Sequence, residues 1–184
     1  MNNDEIVKSI KNDFRLGMNG IISTSMRNKG MDYKIIFGLS LPQLRTLAEK
    51  YSPNQEVATR LWNENIRESK LLATMIYPYS EMSIDTAKVW IEDIKYSEVA
   101  DIASMFLFSK LPYAEQLCLE YANSENENHL YFAFRLFIRL LINKIKIDKE
   151  AIESVKAKAS VYSKSENIAL ASIANDVIDR LEIQ

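Results

Sequence analysis

The chain has 184 residues, a net charge of -2, 47% hydrophobic and 26% charged residues, and only four glycines and four prolines. This apolar content excludes a disordered chain, and the near-neutral balance excludes a uniformly basic nucleic-acid binder but not a basic stripe on one face. No glycine follows Gly38 and no proline follows Pro112, so a sheet-rich domain with many tight turns and a Gly-rich phosphate loop are excluded as well.

In chain order, the start Met1-Asn2-Asn3-Asp4-Glu5 is polar and acidic, unlike a secretory leader. With Cys118 as the only cysteine, no internal disulfide can form, and the expected compartment is a reducing cytoplasm. The apolar spacing and breakers predict helices near 3–16, 20–28, 41–51, 54–63, 66–77, 84–95, 98–109, 112–122, 126–143, 149–161 and 165–182. Ala87, Trp90, Ile91 and Ile94 form one apolar stripe, and Val99, Ile102, Ala103 and Phe106 a second. Leu130, Phe134, Phe137, Ile138 and Leu141 form a third. Leu170, Ile173, Ala174, Val177, Ile178 and Leu181 form the longest. Ser124 with Glu127, and Ser163 with Glu166, have the spacing of capping boxes. Ser83 and Asp148 read as N-caps, and Pro112 as a first-turn proline. No apolar run reaches the ~18–20 residues of a membrane span, because Arg135, Arg139, Lys144 and Lys146 interrupt the longest candidate. Short helices with short connections fit either a compact bundle or an α-solenoid. No linker interrupts them, so residues 1–184 read as a single domain.

Charge is uneven along this series. Residues 81–127 hold three bases against ten acids, whereas residues 128–158 hold seven bases against Asp148, Glu150 and Glu153. Arg135 and Arg139 are i,i+4 neighbours, which suits either a phosphate-binding pair or a solvated face with snorkelling stems. Lys144, Lys146, Lys149, Lys156 and Lys158 either extend that basic face or solubilise a helix edge. Trp62 and Trp90 read as core. Arg67 and Glu68 read as a structural pair bridging repeats. One histidine, His129, and one cysteine cannot form a His/Cys metal cluster, and no metal or organic cofactor is implied. A nucleophilic pair of Cys118 and His129 lacks any activating context, and a buried structural thiol is the plainer reading.

Three stretches, in order, carry a family likeness. They are Met26-Arg27-Asn28 with Phe37-Gly38-Leu39-Ser40-Leu41-Pro42-Gln43-Leu44-Arg45, then Leu61-Trp62-Asn63-Glu64-Asn65-Ile66-Arg67-Glu68, then Trp90-Ile91-Glu92-Asp93-Ile94-Lys95-Tyr96-Ser97-Glu98-Val99-Ala100-Asp101. Together they resemble the AlkD-like DNA alkylation repair family. The resemblance implies an all-α, HEAT-like α-solenoid, here of about five degenerate helix pairs. It also implies a double-stranded DNA partner and excision of cationic N3- or N7-alkylated purines.

By that resemblance Asp101 takes the position of the catalytic carboxylate, which would stabilise the developing sugar cation. The residues alone also fit an ordinary first-turn acid on a helix starting near Glu98. Tyr96 either lines the DNA groove or covers a repeat interface. Arg27, Arg45, Arg135 and Arg139 are candidate phosphate contacts. The chain departs from the family pattern at three places. Ser97 replaces the active-site aromatic, Phe132 or Tyr131 stands at the arginine position with Arg135 about one turn on as a candidate substitute, and Asn175 replaces a later groove tryptophan. Two functions are therefore carried forward: a glycosylase-like DNA-binding protein, or a catalytically silent helical-repeat scaffold for protein or DNA.

Overall fold

Side-chain caps fix where most helices begin. The computed structural model describes residues 2–183, and among these it holds eleven α-helices. Asn2 opens α1 (Asn3–Leu16) with a capping box shared with Glu5. Asn19 caps α2 (Gly20–Asn28). Ser40 opens α3 (Leu41–Lys50) with a second capping box, through Gln43, and Pro42 sits in the first turn, where its missing N–H costs nothing. Asn54 caps α4 (Gln55–Trp62), and α5 (Arg67–Ile76) follows. Ser83 caps α6 (Ile84–Glu92), as its position in the sequence suggests. Then come α7 (Ser97–Phe106), α8 (Ala114–Ala122), α9 (Glu127–Ile142), α10 (Lys149–Tyr162) and α11 (Ile168–Ile183).

Three expected starts shift. The cap of α9 is Asn126, and Ser124 instead accepts the Asn126 N–H, one turn of loop earlier. At α11 the Asn167 side chain accepts the Leu170 N–H, while Ser163 closes α10. Pro112 precedes the start of α8 rather than lying within it. Asp148 does occupy the N-cap of α10, without a side-chain cap bond.

The helices form two compact units, residues 1–81 and 82–184. In the first, α4 packs on α5 and on α1, and α3 packs on α5. Trp62, Phe14, Leu44, Leu61 and Leu72 are buried there. A loop of residues 29–40 is held by a single carboxylate. Glu68, fully buried, accepts the backbone N–H groups of Phe37 and Gly38, each at 2.9 Å, and of Leu39 at 3.3 Å. Arg67 donates to Glu68 at 2.7 Å and to the Leu39 carbonyl at 3.0 Å. So the Arg67–Glu68 pair ties the start of α5 to this loop. It is internal and buried, and it neutralises itself where an unpaired charge would be costly. Gly38 has φ +82°, and a Cβ there would stand 2.4 Å from the Asn19 carbonyl oxygen, so no other residue fits.

In the second unit α9 is central, packing on α7, α8, α11 and α6. Eight of its residues are buried: Leu130, Phe132, Ala133, Phe134, Leu136, Phe137, Ile138 and Leu140. Trp90 is buried in α6. After α9 the chain turns without glycine. Lys144 adopts φ +54°, with the Lys144 N–H on the Leu141 carbonyl and the Ile145 N–H on the Leu140 carbonyl. This is a Schellman ending with lysine where glycine is usual.

Two stability outcomes follow from these backbone positions. Glu68→Gln and Gly38→Ala are each expected to destabilise the chain by about 2–4 kcal/mol, from a broken buried pair and a forced left-handed residue. Lys144→Gly is expected to stabilise it by about 1 kcal/mol, raising Tm by about 2–4 °C. Thermal and urea unfolding of the three variants checks both signs.

Candidate functional site

Burial around α9 leaves one stripe for polar chemistry. Tyr131, Arg135 and Arg139 follow one another at i, i+4 and i+8 and are all half-buried. Asp101 meets them from α7. It lies beyond the first turn of that helix, whose first-turn acid is Glu98, so the helix-dipole reading of Asp101 is replaced by a contact with α9.

The geometry is tight. The Tyr131 hydroxyl donates to Asp101 Oδ1 at 3.0 Å, and Arg135 Nε lies 2.5 Å from the same oxygen. Arg135 Nε satisfies no hydrogen-bond geometry, so this contact is a close ion pair rather than an aligned bond. A second Arg135 nitrogen, Nη2, donates to the Tyr131 hydroxyl at 3.3 Å, and the guanidinium stands 5.9 Å from the Tyr131 ring centre. The Arg139 Nε is buried with no hydrogen-bond acceptor among the described residues.

Electrostatics follow from this packing. Burial pushes the Asp101 carboxyl above its ordinary range, against the opposing pull of Arg135, Tyr131 and Arg139. Burial works to lower Arg135, but the Tyr131 hydroxyl and Asp101 hold it above its usual value. Arg139 is lowered by burial and by repulsion from Arg135 and from Arg180 on α11. Two cations, Arg135 and Arg139, thus act on this carboxylate, and Arg180 acts on Arg139. The local balance suits a phosphate better than a sugar cation.

The other expected residues are placed as follows. Tyr96 stands at the start of α7 and, with Tyr131, lines a cleft of about 230 Å³. Arg27 and Arg45 belong to the first unit and are exposed. Arg27 is already engaged, donating to the carbonyls of Tyr33 at 3.0 Å and Lys34 at 3.3 Å. Arg45 makes no hydrogen bond or ion pair with another described residue. Of the two residues matched to the family's arginine, Phe132 is fully buried and Tyr131 faces Asp101. Asn175 donates to the carbonyls of Ser163 and Ala171. Tyr131 is expected from the sequence only as one of two residues at the family's arginine position, and Arg180 is not foreseen. Tyr131 shares the i,i+4 spacing of Arg135 and could have been found from it. Arg180 has no local sign, because only the packing of α11 on α9 brings it near.

The cysteine–histidine pairing does not form. The buried Cys118 thiol donates to the Ala133 carbonyl at 3.4 Å, and burial pushes it up to about 12, the reverse of activation. His129 instead contacts Ser124 Oγ at 3.1 Å and Glu92 at 3.3 Å. Among the described residues no group of three or more His, Cys, Asp or Glu side chains could hold a metal ion. No helix among them is long and apolar enough to cross a membrane.

Residues 10–174 match the DNA alkylation repair enzyme family. The chain belongs to that family. The fold agrees. A solved structure matches this chain with a TM-score of 0.84 and 16% identity, over 96% of this chain and 75% of the other. That protein belongs to a family related to the HEAT-like repeat DNA glycosylases and described as having affinity for branched DNA structures. This alkylation repair family member is therefore an all-α, HEAT-like repeat protein, as its sequence resemblance implies. A sequence search of curated proteins finds no match.

The raised Asp101 carboxyl has a pH signature. The folded state binds its proton more tightly than the unfolded chain does, so its contribution to stability falls as pH rises from the ordinary aspartate value through the raised one. Asp101→Asn cannot titrate. Its Tm is therefore expected to climb relative to the unsubstituted protein as pH increases across that window, in paired melts from pH 3.5 to 7. A relative fall would show Arg135, not burial, to control the carboxylate.

Proposed function

We propose that this protein binds DNA through its phosphate backbone, with Arg135 and Arg139 as the gripping residues and Arg180 adding to the field. Membership of the alkylation repair family supports a DNA partner. The observation that carries the site is the 2.5 Å approach of Arg135 to Asp101. A carboxylate so engaged holds a guanidinium in place. It is poorly disposed to face a developing sugar cation, which gains most from an unshared negative charge. In this reading Asp101 is a positioning residue, and the lost family aromatic at Ser97 is consistent with binding without excision. Tyr96 is a secondary contact in the same proposal, and Arg45, on the first unit, is a separate candidate contact, while Arg27 is already held by the Tyr33 and Lys34 carbonyls. The residual exposure of the Arg135 side chain, 22%, leaves it accessible to a phosphate oxygen.

A second reading rests on the sequence resemblance. By that resemblance Asp101 takes the position of the family's catalytic carboxylate, and removal of N3- or N7-alkylated purines would be the matching chemistry. Bond cleavage from an already cationic base needs little acid catalysis.

One set of assays separates the two. Fluorescence anisotropy with a short duplex is expected to show affinity that falls linearly on a log–log plot against salt. Arg139→Ala should make that slope shallower by about 1, the loss of one phosphate contact. Asp101→Asn should tighten duplex binding at low salt, because it releases Arg135 from its counter-charge. With duplex carrying N7-methylguanine, no base release above the spontaneous rate is expected. Release that Asp101→Asn abolishes would establish the excision reading instead, and absence of any duplex binding would remove both.

A further inference from the structure

The cleft beside the arginine stripe has the size and lining of a site for one aromatic ring system. Its 230 Å³ is below the ~300–1,000 Å³ of pockets for drug-sized ligands, so it suits a small ligand of about the size of one ring system. Tyr96 and Tyr131 supply aromatic surface, and Ile94, Ala100 and Ala169 supply small apolar surface. Asn128 stands in the lining too. Its backbone N–H is satisfied by Asn126, and its side-chain amide makes no hydrogen bond to another described residue. An amide offers one donor group and one acceptor, the pairing that a nucleobase edge requires.

Tyr131 ties this cleft to the charged cluster, since its hydroxyl bonds both Asp101 and Arg135 while the residue lines the cleft. A ligand whose ring enters the cleft and whose anionic group meets Arg135 satisfies both halves at once. A nucleotide within a DNA strand has that form. A stacked and paired base cannot enter, whereas a base already lacking a partner does so at least cost.

We propose that this cleft receives a single unpaired nucleobase, stacked on the tyrosines with its edge toward Asn128, while Arg135 holds the adjoining phosphate. The inference rests on the DNA-binding reading above and adds a preference for DNA with an unpaired base.

The test uses 2-aminopurine, whose fluorescence is quenched on stacking, in three forms: the free deoxyriboside, a fully paired duplex, and a duplex with the base opposite an abasic site. Ala169 is exposed at the start of α11, so Ala169→Leu obstructs the cleft without removing any side chain that holds the fold. The unsubstituted protein is expected to bind the abasic-opposed duplex about tenfold more tightly than the paired one, with quenching. Ala169→Leu is expected to erase that preference and leave paired-duplex affinity within about twofold. Equal affinities for the two duplexes, or a preference that survives Ala169→Leu, would overturn the inference. If neither duplex is bound at low salt, the DNA-binding reading fails and the free deoxyriboside decides the cleft. Quenching by the unsubstituted protein but not by Ala169→Leu upholds it, and no quenching rejects it.

Discussion

A helix buried around most of its circumference can carry polar chemistry only along the strip left to it. In the second unit that helix is α9, whose eight buried residues occupy every direction except the line of Tyr131, Arg135 and Arg139. Desolvation there is what gives each polar contact its weight. Half-buried arginines cannot be fully hydrated, so they draw in Asp101 from α7, and Asp101 in turn accepts the Tyr131 hydroxyl. The same burial raises the carboxyl and lowers Arg139. The character of the site is thus a consequence of how thoroughly the rest of α9 is covered.

The first unit solves a different problem with related means. Its loop of residues 29–40 has no helix to satisfy its backbone, and three of its N–H groups converge on one carboxylate. A fully buried glutamate is tolerable because Arg67 lies against it and finds a second acceptor in Leu39. The parallel bridge between Ile35 and Ile66 stitches the same loop to the start of α5. Gly38 belongs to this arrangement as much as Glu68 does, since only a residue without Cβ lets the loop come this close to Asn19.

Much of this was legible in the sequence, and the reasons differ by feature. Helix positions were readable because apolar spacing is a local property that packing then confirms. Two capping boxes were misplaced because Ser124 and Ser163 have the right spacing to a glutamate but sit in loops whose backbone hands the cap to Asn126 and Asn167. The absence of glycine after Gly38 was a sound argument for helices, yet a left-handed residue is still required after α9, and Lys144 supplies it under strain. In the site, Arg135 and Arg139 were readable from their i,i+4 spacing. The ion pair with Asp101 was not, because it depends on α7 meeting α9 in one register. The Arg67–Glu68 pair was recognised as structural, but its depth was invisible: adjacent charged residues at a helix start look like surface.

The two tryptophans fall one to each unit. Trp62 is packed in residues 1–81 and Trp90 in residues 82–184, and each is only 2% exposed. Indole emission responds to the polarity around the ring, so the intrinsic fluorescence of the chain is two local records superposed. Replacing either ring by phenylalanine leaves a protein that reports on one unit alone. Whether the units melt together or in sequence can then be read from a pair of single-tryptophan variants, with no dye attached.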